Sequence, residues 1–173
     1  MVDTNERHIH DLALGAFESS YERFSAQRHS VEAAYAPAGE ALFWTIVCDD
    51  GYEAILGKNL YRSSRSSDVD GSLIVGVRWA RNRMTHQRAL VLDKHYGTEL
   101  GTLVLGRGVL GTVDHMKWAL ADAVPRTERD FGRPTYEERL QGRAISETIE
   151  ACRRWFRSES LARMCQSRDI RPG

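Results

Sequence analysis

Apolar positions in the first half of the chain recur every three to four residues, the period of a helix with one buried face. Leu14, Phe17, Tyr21 and Phe24 form one such stripe and predict a first helix over 3–28. A second helix is predicted over 31–56, interrupted or started near Pro37. Its centre, from Ala41 through Phe43 and Trp44 to Cys48, is apolar on all sides and is expected in the core. The serine-rich stretch 57–70 reads as a polar connecting loop. A third helix is predicted over 72–90, opened by Leu73, Ile74, Val75 and Val77 and capped by Asp70 or Ser72. After His95 the pattern shortens, with β-leaning runs at 102–105 and 109–113 set between glycines. The stretch 124–134, with Pro125 and Pro134, reads as a loop. Thr135 and Glu138 make a capping box that opens a last helical region, divided at Gly142 and apolar at Ile145, Ile149, Cys152 and Phe156. Residues 158–173 are polar and expected to be frayed. The fold expected is mainly α: a single domain over 1–173, a bundle of four or more helices, with a small β-hairpin and loop excursion over 89–134 before the last helix.

Composition adds bounds to this picture. With 42% hydrophobic and 28% charged residues and no net charge, the chain has the balance of a globule, without a global attraction to nucleic acid or membrane. The charge is unevenly placed. Residues 1–56 carry 10 acidic and 3 basic side chains, whereas 57–95 carry 3 acidic and 8 basic, making the centre a basic island. Three cysteines at unpaired spacing point to a reducing compartment rather than a disulfide or zinc framework. The polar N-terminus and the lack of any apolar run near the ~20 residues that span a bilayer predict a cytoplasmic protein with no membrane partner. His8 and His10, two apart on a helix, point to different faces and are expected as surface residues, not metal ligands. The glycines around 97–111 match no phosphate-binding fingerprint, and no cofactor is expected.

One helix carries more chemistry than its packing requires. Trp79-Ala80-Arg81-Asn82-Arg83-Met84-Thr85-His86 places a proton acceptor, a fixed guanidinium and an amide within two turns. Histidine takes and gives a proton near neutral pH, and arginine grips a phosphate with two hydrogen bonds. A base beside a phosphate clamp suffices to cleave RNA at its 2′-hydroxyl without a metal. Asn82 and His86 share a helix face, whereas Arg81 and His86 diverge by about 140°. Two copies of the helix across a two-fold axis would bring both residue types to one cleft.

The segment Arg81-Asn82-Arg83-Met84-Thr85-His86 resembles the motif of the HEPN superfamily of helical RNases, toxins and anti-phage effectors. That motif is Arg, four to six residues, then His, often with Asn after the Arg. Arg23…His29 and Arg88…His95 also have the spacing, but only Arg81 is followed by Asn. Composition alone would give that fuller pattern roughly once in 80 such chains. The resemblance implies a helical homodimer that cuts RNA without metal, leaving a 2′,3′-cyclic phosphate and a 5′-hydroxyl. His86 would transfer the proton, Arg81 would clamp the phosphate, and Asn82 would orient it. The chain departs from one toxin subtype by carrying Arg88 two residues after the His, where that subtype has Tyr.

Around these three, Arg78, Arg83 and Arg88 on the same helix and Lys58, Arg62 and Arg65 before it are candidate RNA contacts. Glu40, Asp49 and Asp50 are candidates for orienting the motif from behind, with solvated helix-end charges the plainer reading. The partners expected are RNA, a second copy of the chain and an antitoxin or regulatory protein. The alternative is a non-catalytic helical dimer that binds RNA or a protein partner.

Overall fold

The computed structural model describes residues 4–28, 30–86, 92–98, 112–127 and 130–169, apart from the side chains of 85–86, 92–98, 112–115 and 167–169. The chain is mainly helical. Helix α1 (Thr4–Gln27) and helix α2 (Val31–Leu56) form a long hairpin. Ser30 caps α2 by accepting a hydrogen bond from the Ala33 amide at 3.3 Å. Proline inside a helix costs a backbone hydrogen bond, yet α2 runs unbroken through a buried Pro37. Burial of Ala34, Ala38 and Ala41 on either side holds it to the core.

Gly57, at φ 84°, ends α2 and turns the chain directly into helix α3 (Lys58–Ser67). Residues 57–70 are therefore not the loop the serines suggest. Tyr61 and Arg65, four apart, give α3 a buried face that fixes it as a helix despite its polar composition. Asp68 then accepts from the amides of Asp70 and Gly71 at 2.8 and 2.9 Å, turning the chain. A single 3₁₀ turn, Gly71–Leu73, leads into helix α4 (Ile74–His86). Asp70 flanks that turn without a side-chain cap bond, so the capping expected of it falls to Asp68.

Strands β1 (Leu92–Thr98) and β2 (Thr112–Trp118) pair antiparallel, with His95 opposite His115. The expected run 102–105 lies outside the described residues. The base of the hairpin is fixed in the core: Trp118 donates from its indole to Thr148 at 2.8 Å, and its carbonyl accepts from the Gly142 amide at 2.8 Å. Helix α5 (Arg133–Arg139) begins two residues before the expected capping box, behind Gly132 at φ 93°, and has no side-chain cap. A Cβ on Gly132 would lie 2.7 Å from the Val75 carbonyl oxygen, so the crossing of α4 and α5 requires glycine there.

Gly142 divides the last helical region as its sequence predicts, and helix α6 (Ile145–Phe156) buries Ile145, Ile149, Cys152, Trp155 and Phe156. The tail expected to fray forms helix α7 (Glu159–Asp169) instead, anchored by the buried Leu161. Leu161 in the core, with Met164 and Cys165 packed against it, outweighs the polar composition around them. Helix α2 is the hub: it contacts α1, α3, α4, α6, α7 and β2. No helix among the described residues is long and apolar enough to cross a membrane.

Candidate functional site

Helix α4 lies along α2 and runs against it. Arg78 reaches Asp49 and Asp50, while Arg81, one turn on, reaches back to Phe43. Opposite this face, Trp79 packs on Tyr136 of α5 with ring centroids 4.5 Å apart. The Arg81–His86 hexad therefore occupies the last turns of a helix held on two sides.

Asp49, fully buried in the middle of α2, organises the contact. Its carboxylate accepts from the Tyr61 hydroxyl at 2.8 Å, from Arg65 Nη1 at 2.7 and 2.6 Å, and from Arg78 Nη2 at 2.6 Å. Arg78 Nη2 also donates to Asp50 at 2.6 Å. Arg62 grips Glu53 through Nε and Nη2 at 2.6 and 3.0 Å, and the Trp155 indole donates to Tyr61 at 3.2 Å. Three carboxylates and three guanidinia thus neutralise one another across α2, α3 and α4. Ions so deeply buried persist only when paired and hydrogen-bonded. Burial and then Asp49 drive the Tyr61 hydroxyl well above its ordinary range, keeping it a donor. The same two causes push the Cys48 thiol up to about 12, and burial does likewise to Cys152, so neither is poised as a nucleophile.

This geometry redraws the basic island. Arg65 is buried on Asp49, Arg78 is shared by Asp49 and Asp50, and Arg62 is taken by Glu53. Arg83, only 4% exposed, bonds Asp130 and donates to Thr127 at 2.7 Å, its guanidinium 5.1 Å above the Trp79 ring. Arg65 and Arg83 are structural cations, not side chains offered to a phosphate. Lys58 stands exposed at the start of α3, and Arg88 lies outside the described residues. Asp49 is a buried charge rather than a solvated one, Asp50 remains exposed to solvent, and both orient Arg78 rather than Arg81. Glu40 pairs with Arg23 of α1.

The three motif residues fare differently. Arg81 holds its guanidinium 5.2 Å from the Phe43 ring centre and donates to Asn82 Oδ1 at 3.3 Å. Asn82 is exposed. His86 closes α4, its backbone about 40° around the axis from Asn82 and its side chain outside the described ones. Sequence patterning missed the surface beneath Arg81. Phe43, expected in the core, is 40% exposed, and Trp44 is half-buried with its ring edge-on to Phe43 at 5.1 Å. His10, expected at the surface, is buried edge-on to Tyr52 at 4.2 Å. An acid one turn before Glu53 in an apolar helix, ahead of Arg62 and Arg65, was the available sign of the Asp49 network. No family model, no characterised protein and no solved structure matches the chain.

Proposed function

We propose that this chain is a metal-independent endoribonuclease of a toxin or anti-phage defence system, acting as a homodimer in the manner of the HEPN superfamily it resembles. The reading is carried by one observation: Arg81, Asn82 and His86 sit on the final turns of one unbroken helix, with Asn82 exposed beside the Arg81 guanidinium. His86 takes the proton of the RNA 2′-hydroxyl. The 2′ oxygen attacks phosphorus, Arg81 offsets the charge growing on the phosphoryl oxygens, and the 5′ oxygen leaves with a proton. The products are a 2′,3′-cyclic phosphate and a 5′-hydroxyl. Asn82 orients the phosphate or the ribose.

The test is cleavage of RNA in excess chelator. Wild type should cut at an unchanged rate, and His86→Ala and Arg81→Ala should not cut while melting close to wild type, since both are polar side chains on the last turns of α4. The rate should fall on the acid side, where a charged imidazole no longer accepts a proton. An activity killed by chelator and restored by magnesium would overturn the mechanism. RNA bound but never cut would identify a binding module instead.

A further inference from the structure

We propose that Asp130 is a positioning residue for the motif: its carboxylate latches the loop ahead of α5 onto the last turns of α4 and fixes the turn that His86 closes. The catalytic consequence rests on the endoribonuclease reading and deepens it, while the latch itself stands on contacts alone. By helix geometry, position 86 lies about 20° around α4 from Trp79 and about 60° from Arg83, away from the α2 side that Arg81 takes. Trp79 and Arg83, one turn apart, thus carry the face on which position 86 stands. Both end on one carboxylate oxygen. The Trp79 indole donates to Asp130 Oδ1 at 3.2 Å, and Arg83 pairs with the same oxygen. Thr127 completes the knot. Its hydroxyl accepts from Arg83 at 2.7 Å and donates to Asp130 Oδ1 at 3.3 Å, and its amide donates to Oδ2 at 3.4 Å.

The loop backbone leaves this carboxylate little freedom. The Asp130 carbonyl accepts from the Arg133 amide at 3.0 Å, closing a turn through Gly132. A Cβ on Gly132 would stand 3.1 Å from Trp79 Cβ, so the chain just after Asp130 rests directly on α4. The Arg83 and Arg133 guanidinia lie 5.1 and 5.8 Å from the Trp79 ring centre, and both residues are buried. Cations that deep need a counter-charge held in place. Glu137 and Asp122 answer Arg133, and Asp130 answers Arg83. The end of a helix leaves carbonyls without intrahelical donors and is the first part to fray. Arg81 ties this end to α2, and Asp130 ties it to the approach to α5. The two contacts together fix how far α4 turns about its axis. A catalytic group displaced by about 1 Å can lose on the order of a hundredfold in rate.

The experiment compares wild type with Asp130→Asn, which keeps the shape but removes the charge, with Asp130→Glu, and with Asp122→Asn, a control at an exposed carboxylate. Hydrogen exchange of backbone amides is followed along the full chain. Asp130→Asn should speed exchange over 80–86 by about tenfold or more while α1 and α2 stay as in wild type. Asp122→Asn should leave that turn unaltered. On one RNA oligonucleotide, Asp130→Asn should lower kcat by about ten- to a hundredfold at unaltered KM, and Asp130→Glu should recover most of it. A contribution to overall stability alone would move neither the kcat of the folded enzyme nor exchange confined to one turn. Unchanged exchange over 80–86 overturns the latch, as does faster exchange in every helix, which would assign Asp130 to global stability. Faster local exchange with unaltered kcat, or a rise in KM alone, overturns the positioning role. The two readings separate cleanly. A wild type that cuts no RNA, beside faster local exchange in Asp130→Asn, sinks the enzyme and leaves the latch. A wild type that cuts RNA, beside an Asp130→Asn variant that matches it in both measurements, sinks the latch alone.

Discussion

At the scale of single residues, burial sets the chemistry of this protein more than side-chain type does. His10 is 5% exposed, and neither ring nitrogen has a hydrogen-bond partner among the described residues. The ring presses so closely on α2 that a Cβ at Gly51 would stand 2.3 Å from His10 Nδ1. Burial lowers its pKa from the ordinary 6.5, and the neighbouring Asp11 opposes only part of that shift. The unfolded chain therefore takes the proton first as pH falls. His10 leaves stability intact above 6.5 and erodes it as pH drops from there through the lowered folded value. Melting temperature should decline between pH 7 and 5.5 in wild type, and His10→Leu should flatten that decline. An unaltered slope in the variant would place its origin elsewhere.

At the scale of elements, the Asp49 network decides how helices of little apolar content are held. Helix α3 buries only Tyr61 and Arg65, and both reach the same carboxylate on α2. Arg78 brings α4 to it as well. Removing the carboxylate leaves the buried Arg65 only Glu53, 3.9 Å away and already gripped by Arg62, and breaking a buried pair typically costs about 3–5 kcal/mol. Asp49→Ala should lower unfolding free energy by that order in urea, while Asp50→Ala, at a half-exposed partner of Arg78, should cost less than about 1 kcal/mol. Equal effects would mean that the network is not the fastening of α3. Because Arg78 is one turn before Arg81, Asp49→Ala should also disturb the motif's seat on Phe43.

At the scale of the whole molecule, the proposed cleavage requires two groups that diverge on one helix to meet at one phosphate. Arg81 faces α2, while the residue-86 position lies about 140° around α4. A two-fold axis near the end of α4 would juxtapose the Arg81 of one copy with the His86 of another. Chains carrying Arg81→Ala and His86→Ala, each inactive alone, should then regain cleavage when mixed. A fully active monomer by sedimentation would refute the shared site.

What the sequence determined by itself is the periodic part of this protein: α1 and α2 within a residue or so, a helix through the motif, a small antiparallel hairpin and a last helical region broken at Gly142. The helices follow from spacing, because a 3.6-residue apolar period serves only one backbone shape, and the hairpin and the break from short β-leaning runs and glycines. Tertiary structure decided the rest. Lys58–Ser67 and Glu159–Asp169 read as loop and tail because the residues that fasten them, Tyr61 with Arg65 and Leu161, find partners distant in sequence. The motif was legible as a string, but the fate of the surrounding charges was not. Asp49, Asp50 and Glu53 consume Arg78, Arg65 and Arg62, and Asp130 consumes Arg83, so four cations of the basic island in sequence are neutralised in space. Phe43 and His10 exchanged their expected places for the same reason. Within a segment apolar on all sides, or at a lone histidine, which face meets a neighbour is fixed by packing between elements, and local hydrophobicity carries no record of it.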